Sequence, residues 1–273
     1  MATCDAGPSS RPLKGEKVTI LNSKGLNLVG ELADTGSREL CILSHGFRSS
    51  REDPTLVTLS RALTGAGFST FRFDFTGNGE SEGAFAYGSY WREADDLRSV
   101  VNYWRFRGWS VVSLIGHSKG GNAVLLYASK YGDVGSVVNV SGRFDLSKGI
   151  NMRLGGRKGL KKLEEQGFLD VYDKSGKFEF RAVKSDVEER LGTDMHKACL
   201  EIPESCRVSN VHGAVDEIVP VQEAYEFDKR MRNSTVQIVD GADHNFQLKQ
   251  EEIARLVVEF VRSCPKQPLR AAL

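Results

Sequence analysis

The chain is short of every feature that would place it in a special class. Its 37 basic and 36 acidic residues nearly cancel, leaving a formal net charge of +1. That balance gives no general attraction to nucleic acid or to an anionic membrane surface. No apolar run approaches the roughly 18 residues that a membrane helix needs. The first segment, "MATCDAGPSSRPLKGEK", has no apolar h-region, so residues 1–16 read as a disordered leader and not as a secretory signal. Five cysteines (Cys4, Cys41, Cys199, Cys206, Cys264) are odd in number, scattered and without CxxC spacing. Neither a disulfide framework nor a zinc site is expected from them, and Cys41, inside an apolar run, reads as a small buried hydrophobe. "NVS" at 139 and "NST" at 233 match a glycosylation acceptor pattern, which carries little weight without a signal. The expectation is a soluble, cytoplasmic protein that uses no cofactor and no metal. Neither nucleic acid nor membrane is an expected partner, and the oligomeric state stays open.

What the chain does have is alternation. Its 273 residues, 40% hydrophobic, suffice for one large α/β domain or two small ones. "KVTIL" (17–21) and "LNLVGEL" (26–32) read as two strands of a hairpin around "NSKG". "ELCILS" (39–44) is a nearly continuous apolar run, as in a buried parallel strand. A helix is predicted from Pro54, then a strand over 68–75, a helix over 89–108 and a β-branched strand, "SVVSLI", over 110–115. A helical pattern follows in "GHSKGGNAVLLYASKYG", then a strand over 135–142. After 206–213 restores the rhythm, a helix (221–231), a strand (235–241) and a helix (250–263) complete the pattern. Repeated strand–helix alternation predicts a mainly parallel sheet covered on both faces.

Between these parts, residues 143–205 read as a cap inserted over one end of the sheet, leaving 17–142 and 206–263 as the core and 264–273 as a tail. Within the insertion "FLDVYDKSGKFEFRAV" predicts a hairpin turning at "KSGK", and "DVEERLGTDMHKACLEI" a helix.

Two stretches match Gly-x-Ser-x-Gly: "GHSKG" around Ser118 and "GESEG" around Ser81. Chance alone gives about 0.25 such matches in this composition, so context decides. Ser118 follows a strand by two residues and opens a helix, the setting of a nucleophile held on a sharp turn. Ser81 lies in a glycine-rich loop with no helix starting at it. An activated serine needs a base, a group that orients the base, and donors for the oxyanion. Of the five histidines only His244, in "VDGADHNF", follows the last strand, as the chain order serine–acid–histidine requires. Asp216, just beyond "VSNVHG", is the preferred orienting acid and Asp145 the alternative. Glu217 points differently, and Asp240 and Asp243 are too close in sequence to His244. Oxyanion donors are expected from the backbone amides of Lys119, after the nucleophile, and Phe47, in the loop "HGFRSS". Phe144, Phe168, Tyr172, Phe178 and Phe246 are candidates to line the substrate pocket. Residues 147–163 hold six basic and no acidic side chains. That run reads either as a solvated helix face or as an attractor for an anionic substrate.

"HGF" (45–47), "DFTGNGESEG" (74–83), "GHSKGG" (116–121), "HGAVDEIVP" (212–220) and "DH" (243–244) together resemble the α/β-hydrolase fold family over residues 17–263. The likeness is strongest to cinnamoyl (feruloyl) esterases and serine aminopeptidase-like hydrolases, including plant relatives. It implies an eight-stranded, mostly parallel sheet with a hairpin-bearing cap after the sixth strand. It further implies a triad of Ser118, Asp216 and His244, an oxyanion hole at Phe47 and Lys119, and a small-molecule ester as substrate. Lys119 departs from relatives that carry Gln or Met there. The expected activity is hydrolysis of carboxylic esters, of small acyl or hydroxycinnamoyl type, through an acyl-enzyme. The same triad serves thioesterases and acyltransferases, and a ligand sensor with slow turnover is the alternative from another class.

Overall fold

Residues 15–265 are described by the computed structural model; residues 1–14 of the expected leader and 266–273 of the expected tail lie outside them. The chain opens with β1 (Glu16–Leu21) and β2 (Asn27–Ala33), followed by β3 (Glu39–Ser44), α1 (Pro54–Gly65) and β4 (Ser69–Phe73). Next come α2 (Tyr90–Phe106), β5 (Ser110–His117), α3 (Lys119–Tyr131) and β6 (Ser136–Val140). The segment after β6 holds α4 (Ile150–Arg153), α5 (Gly156–Gln166), β7 (Phe168–Tyr172), β8 (Phe178–Val183), α6 (Lys184–Gly192) and α7 (Met195–Glu201). The chain then runs through β9 (Arg207–Gly213), α8 (Gln222–Asp228), β10 (Ser234–Val239) and α9 (Gln250–Ser263). β1 begins at Glu16, one residue inside the span assigned to the leader.

Eight strands form one sheet in the order β1-β2-β4-β3-β5-β6-β9-β10. β1 pairs antiparallel with β2, and β2 with β4; every other pairing is parallel. The central parallel strands are buried on both faces, including all five residues of β4 and of β6. Each face therefore needs its own helical cover. On one side Leu56, Leu59 and Leu63 of α1 meet Ile253, Val257 and Phe260 of α9 over Cys41 and Leu43. On the other, α2 and α3 pack over Phe71, Leu114 and Val137, with Trp104 set edge-on to Phe71 at 5.1 Å. Helix α1 starts where Asp53 accepts a hydrogen bond from the Thr55 amide and Pro54 occupies the first turn, a position whose missing N–H costs nothing.

The segment between β6 and β9 departs from its sequence reading in two ways. Residues 186–202 form two helices and not one. The break falls at Thr193–Asp194, where the Asp194 carboxylate accepts from the Lys197 amide and starts α7, a local bond that competes with helix continuation. Moreover, Met195, Ala198 and Cys199 of α7 are buried in the main core. The part that stands apart, with its own apolar cluster of Ile150, Leu154, Leu163, Leu169, Phe180 and Val187 around Tyr87, ends before α7. The four cysteines among the described residues are free. Cys41 is fully buried in the apolar layer, and burial pushes its thiol far above the ordinary range. Asn139, in the first glycosylation-like match, is buried and bonded to Asn210.

Candidate functional site

The carboxyl ends of the parallel strands carry the chemistry-bearing residues, as open α/β sheets lead one to expect. β3 leads into His45, Gly46 and Phe47, β5 into Ser118, β9 into Asp216 and β10 into His244. Strain collects at the same edge. Among the described residues the non-glycine positions with positive φ are Arg48, Ser118, Ser141 and Phe246, in the loops that follow β3, β5, β6 and β10. Such conformations cost about 1–3 kcal/mol apiece and persist only where the surroundings dictate them.

Ser118 sits at φ 55°, ψ −118°, between β5 and α3. The turn is so tight that a Cβ on Gly120 would lie 2.4 Å from the Ser44 carbonyl oxygen, and a Cβ on Gly46 would lie 3.1 Å from that of Ser118. Glycine at 120 thus lets α3 descend onto β3, and glycine at 46 lets the Phe47 loop reach the serine.

His244 Nε2 lies 3.0 Å from Ser118 Oγ, and its Nδ1 lies 2.7 Å from Asp216 Oδ2. A carboxylate only accepts, so Nδ1 carries the proton and Nε2 is left as the acceptor facing the hydroxyl. Asp216 is fixed from the other side: Oδ1 accepts from the Ile218 and Val219 amides, and His212 Nε2 stands 3.3 Å from Oδ2. Burial works to raise the Asp216 pKa, but the hydrogen bonds from His212 and His244 prevail and hold the carboxyl well below its usual range. Burial pulls His244 below its ordinary value of 6.5, partly opposed by Asp216, which keeps the imidazole neutral at neutral pH. His117 is buried, and its Nε2–H donates to the His244 carbonyl oxygen at 2.9 Å, anchoring the loop that carries His244.

The alternatives lie elsewhere. Ser81 Oγ accepts from the Val29 amide at 2.8 Å and donates to the Asp74 carbonyl at 2.6 Å, a buried loop brace. Asp145 accepts from Ser147 and faces Lys148 at the surface. His45 is buried as a strut, with Nδ1–H donating to the Gly46 carbonyl and Nε2 accepting from the Phe75 amide.

Lys119 opens α3, where the first amides have no partner within the helix. Its side chain turns away from Ser118, with Nζ 2.6 Å from Glu93 Oε1 and 5.0 Å from the Tyr90 ring centre. The charge that sets this chain apart at position 119 is therefore neutralised below the site. Both partners are buried, and burial raises the Glu93 pKa. Removing one partner of a buried pair costs about 3–5 kcal/mol, so Lys119→Met is expected to destabilise the fold on that scale. Without its cation Glu93 favours protonation still more, so the deficit grows as pH rises and shrinks towards about pH 4.3. Urea titrations at several pH values, with Lys119→Met/Glu93→Gln recovering most of the loss, check this.

Above Ser118 a tight cleft of ≈ 30 Å³, room for about one water, opens towards the segment that follows β6. Phe47, Tyr90, Ile218 and Val219 give it apolar walls, and Arg143, Arg153 and Arg190 line it as well. The structure does not bring the five candidate pocket aromatics there. Phe144 packs edge-on against Phe227 at 5.2 Å, and Phe168 lies under the Arg181 guanidinium at 4.1 Å. Tyr172 and Phe178 meet at 5.9 Å on the exposed end of the hairpin, while Phe246 is fully buried on the α9 side. A register irregularity between Val171 and Tyr172 shifts the pairing so that Val171 faces Phe180 and Tyr172 faces Phe178. Phe180 turns inward, where it meets Phe47 edge-on at 5.5 Å. Phe85 and Tyr87 complete the ring around Phe47 at 5.4 and 5.5 Å. The sequence reading reaches Arg153 only as part of the basic run 147–163, as a candidate attractor of an anionic substrate, and does not single out Arg143 or Arg190. Arg143 was findable as the residue just past a strand end, and Arg153 lies within the basic run, but nothing in the pattern marks Arg190.

Comparison with known proteins agrees with this architecture. The sequence model of the family described as serine aminopeptidase, S33, matches residues 35–166. An uncharacterised protein of Saccharomyces cerevisiae is 24% identical over 228 residues, covering 76% of this chain and 69% of the yeast protein. The structure of Est1E from Butyrivibrio proteoclasticus with ferulic acid bound superposes with a TM-score of 0.78 at 23% identity, covering 90% of this chain and 98% of that one. The Pyrococcus furiosus esterase Pf2001 superposes at 0.72 and 22% identity, covering 92% and 93%. By its sheet, its helices and these likenesses, the chain is a protein of the α/β-hydrolase fold.

Proposed function

We propose that this protein is a serine carboxylester hydrolase with Ser118 as nucleophile, His244 as general base and acid, and Asp216 as the group that orients the base. The observation that carries the reading is the unbroken line from Asp216 through His244 to Ser118, at 2.7 and 3.0 Å. Ser118 Oγ gives its proton to His244 Nε2 and bonds to the ester carbonyl carbon. The oxyanion so formed is received by the Phe47 and Lys119 amides, each such donor contributing about 2.7–4 kcal/mol. The intermediate collapses by breaking the bond to the alcohol, which leaves with the proton from His244. Water then gives a proton to His244 and attacks the acyl carbon. The acid departs and the proton returns to Ser118.

Esters of small acids and of hydroxycinnamic acids are the proposed substrates, the latter supported by the likeness to Est1E, whose structure holds ferulic acid. The free cysteines fit a reducing compartment such as the cytoplasm. No described helix is long and apolar enough to cross a membrane.

The test is hydrolysis of short-acyl aryl esters and methyl ferulate across pH. Because the base must be neutral, kcat/KM is expected on a plateau at neutral pH and to fall as pH drops through an apparent pKa below 6.5, the ordinary histidine value. An acid limb centred above 6.5, or no turnover of any ester, contradicts the reading.

A further inference from the structure

Four basic residues line the cavity beside Ser118: Lys119, whose ammonium turns away to Glu93, and Arg143, Arg153 and Arg190. Only Lys119 has an acidic partner, Glu93. Among the described residues no carboxylate stands within 4 Å of the other three. Arg190, buried, spends its guanidinium on neutral acceptors: the Leu146 and Lys148 carbonyls at 2.8 and 3.0 Å and the Tyr90 hydroxyl at 3.0 Å. Arg143 donates to the Ile218 carbonyl. The acids that act on Arg143 from further off, Glu223 and Asp216, are bonded to Lys148 and to His244 respectively. Arg153 meets only a ring, its guanidinium lying over Phe47 at 4.5 Å. Burial and the charge of Arg190 pull Arg143 below the ordinary arginine range. The repulsion among the three is therefore offset only from a distance, by acids already bonded elsewhere, and an anion in the cavity would relieve it. Guanidinium forks suit the paired oxygens of a carboxylate or a phosphate.

We propose that Arg143, Arg153 and Arg190 form an anion-binding subsite beside Ser118, so that the preferred ester carries a carboxylate or phosphate group on its acyl or alcohol part. This deepens the esterase reading and rests on it for turnover, though binding is measurable without it. It also divides the basic run 147–163. Arg153 faces the cavity, whereas Lys161 pairs with Glu165 on the exposed face of α5, and Arg157 and Lys158 are exposed there too.

The binding arm uses Ser118→Ala protein and calorimetric titration with monomethyl adipate (anionic), dimethyl adipate (neutral) and inorganic phosphate. Monomethyl adipate is expected to bind at least about tenfold more tightly than dimethyl adipate, with affinity falling as salt rises. Adding Arg153→Gln or Arg143→Gln is expected to remove about tenfold of that preference. Arg157→Gln, outside the cavity, should keep it. Tighter binding of phosphate than of monomethyl adipate, with the same arginine dependence, supports the subsite and assigns it to a phosphate-bearing ester. Equal binding of the two adipates, no binding of either anion, or the same loss in Arg157→Gln overturns the proposal. The turnover arm compares kcat/KM for the two adipate esters in protein that retains Ser118. Failure to cleave either one counts against the nucleophile assignment, while the binding arm still decides the subsite. Thermal melts of each variant separate loss of the site from loss of fold, and the exposed Arg153 is the variant least able to disturb folding.

Discussion

Ser118→Ala is expected to lower kcat on an activated ester by about 10⁶-fold while leaving the fold intact. The loss is large because the nucleophile and its base act as one unit: without Oγ the neutral His244 has no proton to take. What remains over water comes from the oxyanion donors and substrate binding. The fold should survive because Oγ makes a single hydrogen bond, to His244, and the Ser118 amide keeps its own to the Val140 carbonyl at 2.7 Å. Alanine has the same Cβ in the same strained backbone, so the melting temperature should stay close to that of the wild type. Steady-state kinetics beside a thermal melt checks both halves. A variant that retains a tenth of the activity would remove Ser118 from the chemistry.

Asp216→Asn is expected to lower kcat by about 10⁴-fold. Asparagine keeps an oxygen for the Ile218 and Val219 amides, which now bond to Oδ1, so the loop should hold its course. The amide NH₂, however, then faces His244 Nδ1. A donor at that place forces Nδ1 to accept, which moves the imidazole proton to Nε2, opposite the serine hydroxyl. A histidine in that tautomer cannot take the proton from Ser118, and the imidazolium loses the neighbouring charge that stabilises it. Asp145→Asn, at the surface position weighed as the other acid, should change kcat by less than about twofold. Kinetics of the two variants side by side decides between them, and equal losses would contradict the assignment of Asp216.

How much of this could be read in advance follows from where each residue gets its instructions. The strands β3 and β5 and the helix α9 were legible because continuous apolar runs and the 3.6-residue period are local signals. That Ser118, Asp216 and His244 meet at one edge was legible because each lies in the loop that follows a parallel strand, and the order of strands fixes which loops share an edge. The cavity was not legible. Phe180 and not Phe178 turns inward because of an irregularity in hairpin pairing, which alternation in the sequence does not record. Arg190 and Arg143 come from distant parts of the chain, α6 and the loop after β6. Lys119 looked like a stray charge beside the nucleophile because its partner, Glu93, lies 26 positions earlier on α2. The break between α6 and α7 is marked by local side-chain bonds, Thr193 donating to the Glu189 carbonyl and Asp194 accepting from the Lys197 amide, and propensity alone does not foresee it.

The claim at the centre is that Ser118 is activated by His244. It is tested most directly by labelling the protein with a fluorophosphonate and mapping the adduct by mass spectrometry, beside Ser118→Ala, Ser81→Ala and His244→Ala. The expected result is one phosphonylated peptide carrying the adduct on Ser118. It should be absent in Ser118→Ala, much slower to form in His244→Ala and unchanged in Ser81→Ala. An adduct on any other residue, or labelling of Ser118 at the same rate without His244, would contradict the account.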